Sequence, residues 1–280
     1  EILRCLVGSE MCIRDRDMFG VEKPIIALLH LRALPGDPLY AGDVEQVFRQ
    51  AREDLIALQD GGVDGVLIAN EFSLPYQPQA EPVTVGAMGY LVGRLKENIR
   101  VPFGVNVVLN PMASLELAAS TGAHFIRSAF TGTYMGENGV VTTDVATTVR
   151  RKKALGLDHL KMFYKVNPES DAYLVPRDIK TITKSIIFHC APDALCVSRA
   201  SAGSETSTDI MSEVRSVAGD VPVFCNTGCN AKTAVEKLSH SDGACVGTTF
   251  KKDGKFENNV DPDRVVEFMN IVKEFRKTLV

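Results

Sequence analysis

Two short apolar runs in the last quarter of the chain finish in small and hydroxyl-bearing residues: Asn226-Thr227-Gly228 after the first, Gly247-Thr248-Thr249 after the second. Turns of this composition can keep backbone N–H groups exposed, which is how proteins hold phosphate without a metal ion. Gly203, in Ser201-Ala202-Gly203, offers further donors, and Lys251 offers charge beside the second turn. A second set of residues suits proton transfer. His30 and Glu71 close two neighbouring apolar runs, and an imidazole and a carboxylate at adjacent strand ends can pass or steer a proton. Arg127 lies inside an apolar run, where a guanidinium is costly to bury without an anion, so it pairs with Glu71 or faces a ligand. Lys165 could form a Schiff base if desolvated, although a solvated lysine is the commoner outcome. Asn70, Asn106 and Asn110 are candidate ligand contacts. Any one of these Asn or Thr residues is equally well explained by the exposure of a strand end. Eight polar ends converging on one face are harder to explain that way.

These residues can meet only if the elements bearing them are arranged in parallel. Short β-branched runs alternate with longer amphipathic ones along the chain. The strand candidates are 25–31, 65–71, 102–110, 124–130, 160–167, 194–200, 222–228 and 243–250, and the helical ones 43–60, 84–99, 113–121, 142–155, 178–189, 207–218, 230–240 and 262–277. Several helices open on Asp, Ser, Thr or Asn and close on Gly. Eight strand–helix units predict an α/β fold, a single (β/α)8 TIM barrel, whose chemistry sits in the loops after the strands and whose phosphate sites commonly follow strands seven and eight. An open doubly wound sheet is the alternative, but no G-x-G-x-x-G follows the first strand. Gly62-Val63-Asp64-Gly65, Thr121-Gly122-Ala123-His124 and Ser241-Asp242-Gly243-Ala244 read as turns into strands at the opposite, stabilising face. His124, His159, His189 and His240 read as structural. The loop 131–141, with Gly132, Gly136 and Gly139, could close over a ligand or be a passive excursion. Whether each strand-end residue points into the barrel or out to the helices is not fixed by the sequence.

Composition narrows the partners. The 280-residue chain carries a formal charge of −4 and a pI near 5.8, and its basic clusters lack interleaved aromatics, so nucleic acid is not an expected partner. Runs such as "IIALL" are too short to span a bilayer. Leu6 to Arg16, "LVGSEMCIRDR", resembles a translated sequencing adapter, so residues 1–16 are expected to be non-native and 17–280 to form the barrel domain. The five remaining cysteines, Cys190, Cys196, Cys225, Cys229 and Cys245, are scattered and odd in number, which suggests free thiols and a cytoplasmic setting. Cys225 and Cys229 lack a second ligand pair, so no metal is expected.

"HLRALPGDP", "GGVDGVLIANEFSLPY", "PFGVNVVLNP", "TGAHFIRSAFTGTY", "PDALCVS" and "TTFKKDG" together resemble the BtpA family, and within it the SgcQ-like branch, in order from about Lys23 to the C-terminus. The resemblance implies a barrel of the ribulose-phosphate-binding type, with His30, Asn70, Arg127 and the Gly228 turn at family-like positions. It also implies a link either to photosystem I biogenesis, or to carbohydrate uptake and metabolism with a nucleoside triphosphatase assignment; no single reaction follows from it. "SRASAGSETS" departs from the Gly-containing pair frequent in the family after strand six.

The reading is a barrel enzyme acting on a phosphorylated sugar or related small phosphate ester by proton transfer or bond cleavage, a lyase, isomerase or hydrolase without a cofactor. Glu71 would be the base, His30 the acid or electrophile, and Arg127 the partner of an oxyanion or carboxylate. The ligand is small and phosphorylated, and a homo-oligomer is possible. The rivals are a non-catalytic assembly or regulatory factor and a nucleoside or nucleotide hydrolase; the second lacks a Walker A sequence and a dense carboxylate cluster for Mg²⁺.

Overall fold

The computed structural model describes residues 18–169, 171–198, 208–226 and 228–279. Eight parallel strands close into a barrel: β1 (Ile25–His30), β2 (Gly65–Ala69), β3 (Phe103–Asn106), β4 (Phe125–Ser128), β7 (Lys161–Lys165), β9 (Ala194–Val197), β10 (Val223–Cys225) and β11 (Gly243–Val246). β11 pairs with β1, Ile26 opposite Cys245, and closes the ring. Each barrel strand leads to a helix: α1 (Val44–Asp60), α2 (Pro82–Leu95), α3 (Pro111–Thr121), α4 (Val145–Ala154), α5 (Ile179–Cys190), α6 (Thr208–Ala218), α7 (Ala234–Ser239) and α8 (Pro262–Lys277). The expected fold is therefore the observed one. The strands are shorter than the apolar runs that mark them; the run 243–250, for instance, gives up its last residues to a 3-10 turn, Thr248–Phe250.

Local chemistry sets the helix boundaries. Asp43, Asp144 and Asp178 accept hydrogen bonds from the backbone N–H of Gln46, Thr147 and Thr181 at 3.0, 2.9 and 2.8 Å, pairing donors that a helix start leaves over. At the bottom of the barrel, Asp64, Asp193 and Asp242 each precede one strand and accept from the first residues of its neighbour. Their donors are Ile25 N at 2.8 Å, Met162 N at 2.9 Å and Val223 N at 2.9 Å. Arg276, in the last turn of α8, ion-pairs with Asp64 and so ties the end of the chain to this face.

Burial on both faces divides the core into two layers. The outer layer, between strands and helices, includes Ile25, Ile68, Val105, Ile126 and Val223. The inner plug contains Phe125, Phe163 and Phe224, with ring centroids 5.0 and 5.2 Å apart in sequence, over Ile26, Leu67, Cys196 and Cys245. A Cβ at Gly104 would lie 2.4 Å from the Phe125 ring, so the small residue is what lets the large one fill the barrel.

The two long loops after β4 and β7 are ordered as a separate antiparallel sheet. β5 (Thr133–Gly136) pairs with β6 (Gly139–Thr142) across a tight turn, and β8 (Ala172–Tyr173) adds to the other edge of β5. This sheet roofs one side of the barrel mouth. Among the described residues no helix is long and apolar enough to cross a membrane.

Candidate active site at the barrel mouth

Residues two apart on a strand share a face, and the inner plug fixes which face looks inward. Leu28 is followed by His30, Leu67 by Ala69 and Glu71, Gly104 by Asn106, Phe125 by Arg127, Phe163 by Lys165, Cys196 by Ser198, Phe224 by Asn226 and Cys245 by Gly247. The inward series thus turns from apolar to polar toward the C-terminal ends, and His30, Asn106, Arg127, Ser198 and Asn226 are all buried there.

A chain of hydrogen bonds joins three strands. Arg127 Nη1 donates to Asn226 Oδ1 at 2.7 Å, and Asn226 Nδ2 donates to Ser198 Oγ at 2.8 Å. Arg127 Nη2 lies 3.9 Å from Glu71 Oε1, while its Nε is buried with no hydrogen-bond partner among the described residues. Tyr76 donates its hydroxyl to Glu71 Oε2 at 3.0 Å. Burial acts to raise the Glu71 pKa, but attraction to His30, Arg127 and Lys165 and the Tyr76 hydrogen bond outweigh it, holding the carboxyl below the usual range. Burial pushes His30 down to about 4, so at neutral pH the imidazole is uncharged and the buried Arg127 guanidinium is the cation standing beside Glu71. Among the described residues neither ring nitrogen of His30 has a hydrogen-bond partner, and the ring packs instead against Phe256, with centroids 5.3 Å apart. A buried, unpaired imidazole beside a cavity is a polar group waiting for one.

Two cavities meet at this set. The smaller, about 410 Å³, is lined by His30, Arg127, Asn226 and the two turns, Gly228 to Asn230 and Gly247 to Thr249. Thr249 Oγ1 donates to Cys229 O at 2.8 Å and locks the turns together. Gly228 has φ 77°, the left-handed region where glycine is unstrained. At Gly247 a Cβ would lie 3.1 Å from His30 Nε2 and from Leu28 Cδ1, so glycine lets the turn approach the imidazole. The first N–H groups of the 3-10 turn Thr248–Phe250 are donors of the kind a helix start leaves over. The larger cavity, about 590 Å³, lies under the roof between Asn106, Lys165, Tyr76, Tyr134 and Val141. Glu71, Glu169 and Phe256 line both.

The other expected residues are placed differently. Asn70 Oδ1 accepts from Val108 N at 2.8 Å. Asn110 Oδ1 accepts from Ala80 N at 2.6 Å, and its Nδ2 donates to Gln77 O and Val108 O at 3.0 and 2.9 Å. Both amides brace the loops after β2 and β3 and line neither cavity of the mouth. The Lys251 ammonium is turned to Asp54 on α1, 3.5 Å away, with both side chains buried; it too stands apart from the turns. Gly203 and Thr227 lie outside the described residues.

Four residues that the sequence reading passed over belong to the mouth: Tyr76, Glu169, Phe256 and Arg264. Arg264 donates from Nε to Thr249 O at 2.9 Å and lines the smaller cavity. Its signal was readable, because an arginine in the first turn of a helix opposes the helix dipole and needs another reason to be there.

The sequence model of the BtpA family matches residues 21–274. The chain belongs to the BtpA family. Within that family it is 45% identical over 264 residues to the sgc region protein SgcQ of Escherichia coli (strain K12), covering 94% of this chain and 98% of that protein. It is 27% identical to the photosystem I biogenesis protein BtpA of a Synechocystis strain, covering 93% and 91% of the two chains. Among solved structures, (S)-3-O-geranylgeranylglyceryl phosphate synthase from Thermoplasma acidophilum, in complex with its substrate sn-glycerol-1-phosphate, superposes with a TM-score of 0.59 at 16% identity over 96% of this chain and 98% of that one. The dihydropteroate synthase of Yersinia pestis gives a TM-score of 0.59 at 13% identity over 92% and 95%. These two likenesses are of fold.

Proposed function

We propose that the chain is an enzyme acting on a phosphorylated sugar or a related small phosphate ester, by proton transfer or bond cleavage beside a carbonyl. The observation that carries the reading is the smaller cavity: a buried Arg127 held by Asn226, an unpaired His30, and two Gly-bearing turns with Arg264 behind them. The phosphate sits between Gly228 and the turn Gly247 to Thr249, where backbone donors and two guanidiniums meet its charge. That is also where (β/α)8 enzymes commonly hold phosphate, and one fold neighbour was solved with a phosphorylated substrate. The reacting carbon then lies toward Glu71, at the junction of the cavities. Glu71, ionised, is the base. His30, neutral, polarises a carbonyl as a hydrogen-bond donor and not as an imidazolium acid. Arg127 steadies the oxyanion or carboxylate that develops.

Thermal denaturation with added inorganic phosphate tests this. A ligand at one hundred times its Kd stabilises the native state by about 2.7 kcal/mol, so the melting temperature of the wild-type chain rises with phosphate, and that of a folded Arg127→Met variant does not. A reading as a non-catalytic assembly factor is favoured by one observation. The roof exposes Met135, Val140, Leu174 and Val175, an apolar surface suited to a protein partner. Saturable turnover of a sugar phosphate separates the two readings.

A further inference from the structure

Lys165 is a residue of the larger cavity whose polar group the proposed reaction leaves unused. It ends β7 in the inward series and lines the cavity together with Glu71, Glu169 and Asp171. Among the described residues its ammonium makes neither a hydrogen bond nor an ion pair, whereas the buried Lys251 is 3.5 Å from Asp54 and Lys161, on the same strand, is 3.2 Å from Asp193. The groups facing it are Arg127 from β4, Glu71 beyond β2, Cys196 on β9, and Glu169 and Asp171 after β7 itself. Burial and then Arg127 pull its pKa down, against the opposing pull of Glu169, Glu71 and Cys196. Opposite in character is Asp171, whose Oδ1 is buried with no hydrogen-bond partner among the described residues and whose pKa is raised by burial and by Glu137. One cavity thus holds an amine and a carboxyl whose charged forms are both disfavoured by burial.

We propose that Lys165 is a nucleophile that condenses with the aldehyde or ketone carbon of a substrate seated in the larger cavity. The Nζ lone pair forms the C–N bond as the carbonyl π pair moves to oxygen. The nitrogen then passes a proton to Glu71 or Glu169, and the oxygen takes one from Asp171, which gives a neutral carbinolamine. The newly protonated glutamate returns its proton to the hydroxyl, the nitrogen lone pair expels water, and an iminium remains with Asp171 as carboxylate. No oxidant or reductant is needed. The iminium draws electrons from the adjacent carbon, so the C–H or C–C bond there breaks more easily toward Glu71. This rests on the reading of a reaction beside a carbonyl, and it separates mechanistically from the phosphate site on the other side of Glu71.

The test is reductive trapping of the full chain with dihydroxyacetone phosphate and sodium cyanoborohydride, read by intact mass and peptide mapping, with hydroxyacetone as the phosphate-free probe. The expected result is a single adduct on the peptide carrying Lys165. It is lost in Lys165→Met and in Lys165→Arg, the second of which keeps the charge and so guards against a folding defect. It is retained in Lys152→Met, because Lys152 also has a pKa lowered by burial but lies outside the site. Trapping of Lys165 by both probes, with no rise in melting temperature on adding inorganic phosphate, would support the nucleophile and count against the phosphate reading alone. Phosphate stabilisation with no adduct from either probe, or an adduct that persists in both Lys165 variants, would overturn the nucleophile.

Discussion

Replacing His30 by Asn should flatten the acid side of the stability profile, and the size of the effect follows from burial. His30 is 5% exposed, and its pKa falls from 6.5 to about 4 in the folded chain. The unfolded chain therefore takes up this proton first as the pH drops, and the native state is penalised for staying neutral. Stability from this source is complete above pH 6.5 and is lost progressively down to about pH 4. At about 1.4 kcal/mol per pKa unit, the loss is about 3 kcal/mol. The assay is urea denaturation at a series of pH values for the wild type and His30→Asn. The difference in unfolding free energy between the two should shrink, in the variant's favour, by about that amount between pH 6.5 and 4. Curves that stay parallel across this interval would refute the reasoning, since His30 would then titrate alike in both states and would not be the neutral group that the site requires.

Three other outcomes are expected. Gly247→Ala places a methyl 3.1 Å from His30 Nε2 and Leu28 Cδ1, so it should cost about 1–3 kcal/mol in chemical denaturation, as overpacking does, and weaken the stabilisation by phosphate. Asn110→Ala leaves Ala80 N without its acceptor and should cost about 1–3 kcal/mol of stability, with phosphate stabilisation unchanged; a selective loss of the phosphate effect would make Asn110 a ligand contact after all. On an identified substrate, Glu71→Gln and His30→Asn should each lower kcat by roughly 10² to 10⁴, and the double variant by less than the product, because the two groups act on one proton path. Full activity in both single variants would make the pair structural.

The barrel was legible because each of its strands is buried on both faces and so reads as an apolar run, and because Asp43, Asp144 and Asp178 mark helix starts. The same double burial hid the phase. An apolar run has no alternation, and nothing in "IIALLHL" says that His30 faces the lumen until Phe125, Phe163 and Phe224 are seen to fill it. The roof's hairpin reads as loop because its strands carry adjacent apolar pairs, Tyr134-Met135 and Val140-Val141, in place of an alternation, about a turn at Glu137-Asn138. The roof's third strand, two residues long, carries no signal of its own. Lys251 has the place in the chain of a phosphate ligand, and the partner that turns it away, Asp54, is remote in sequence. Asn70 directly follows β2, as expected, whereas β3 stops at Asn106 and leaves Asn110 as the residue before α3; both spend their amides on loop backbone that no sequence pattern shows.

The central claim is that the turns after β10 and β11 hold a phosphate against Arg127. The direct measurement is a crystal structure of the wild-type chain grown with a sugar phosphate. The account predicts phosphorus density between Gly228 and Gly247 to Thr249, with the rest of the molecule running past Glu71 toward Lys165. Phosphate density at any other place on the molecule, with these turns and Arg127 making no contact to it, would contradict the account.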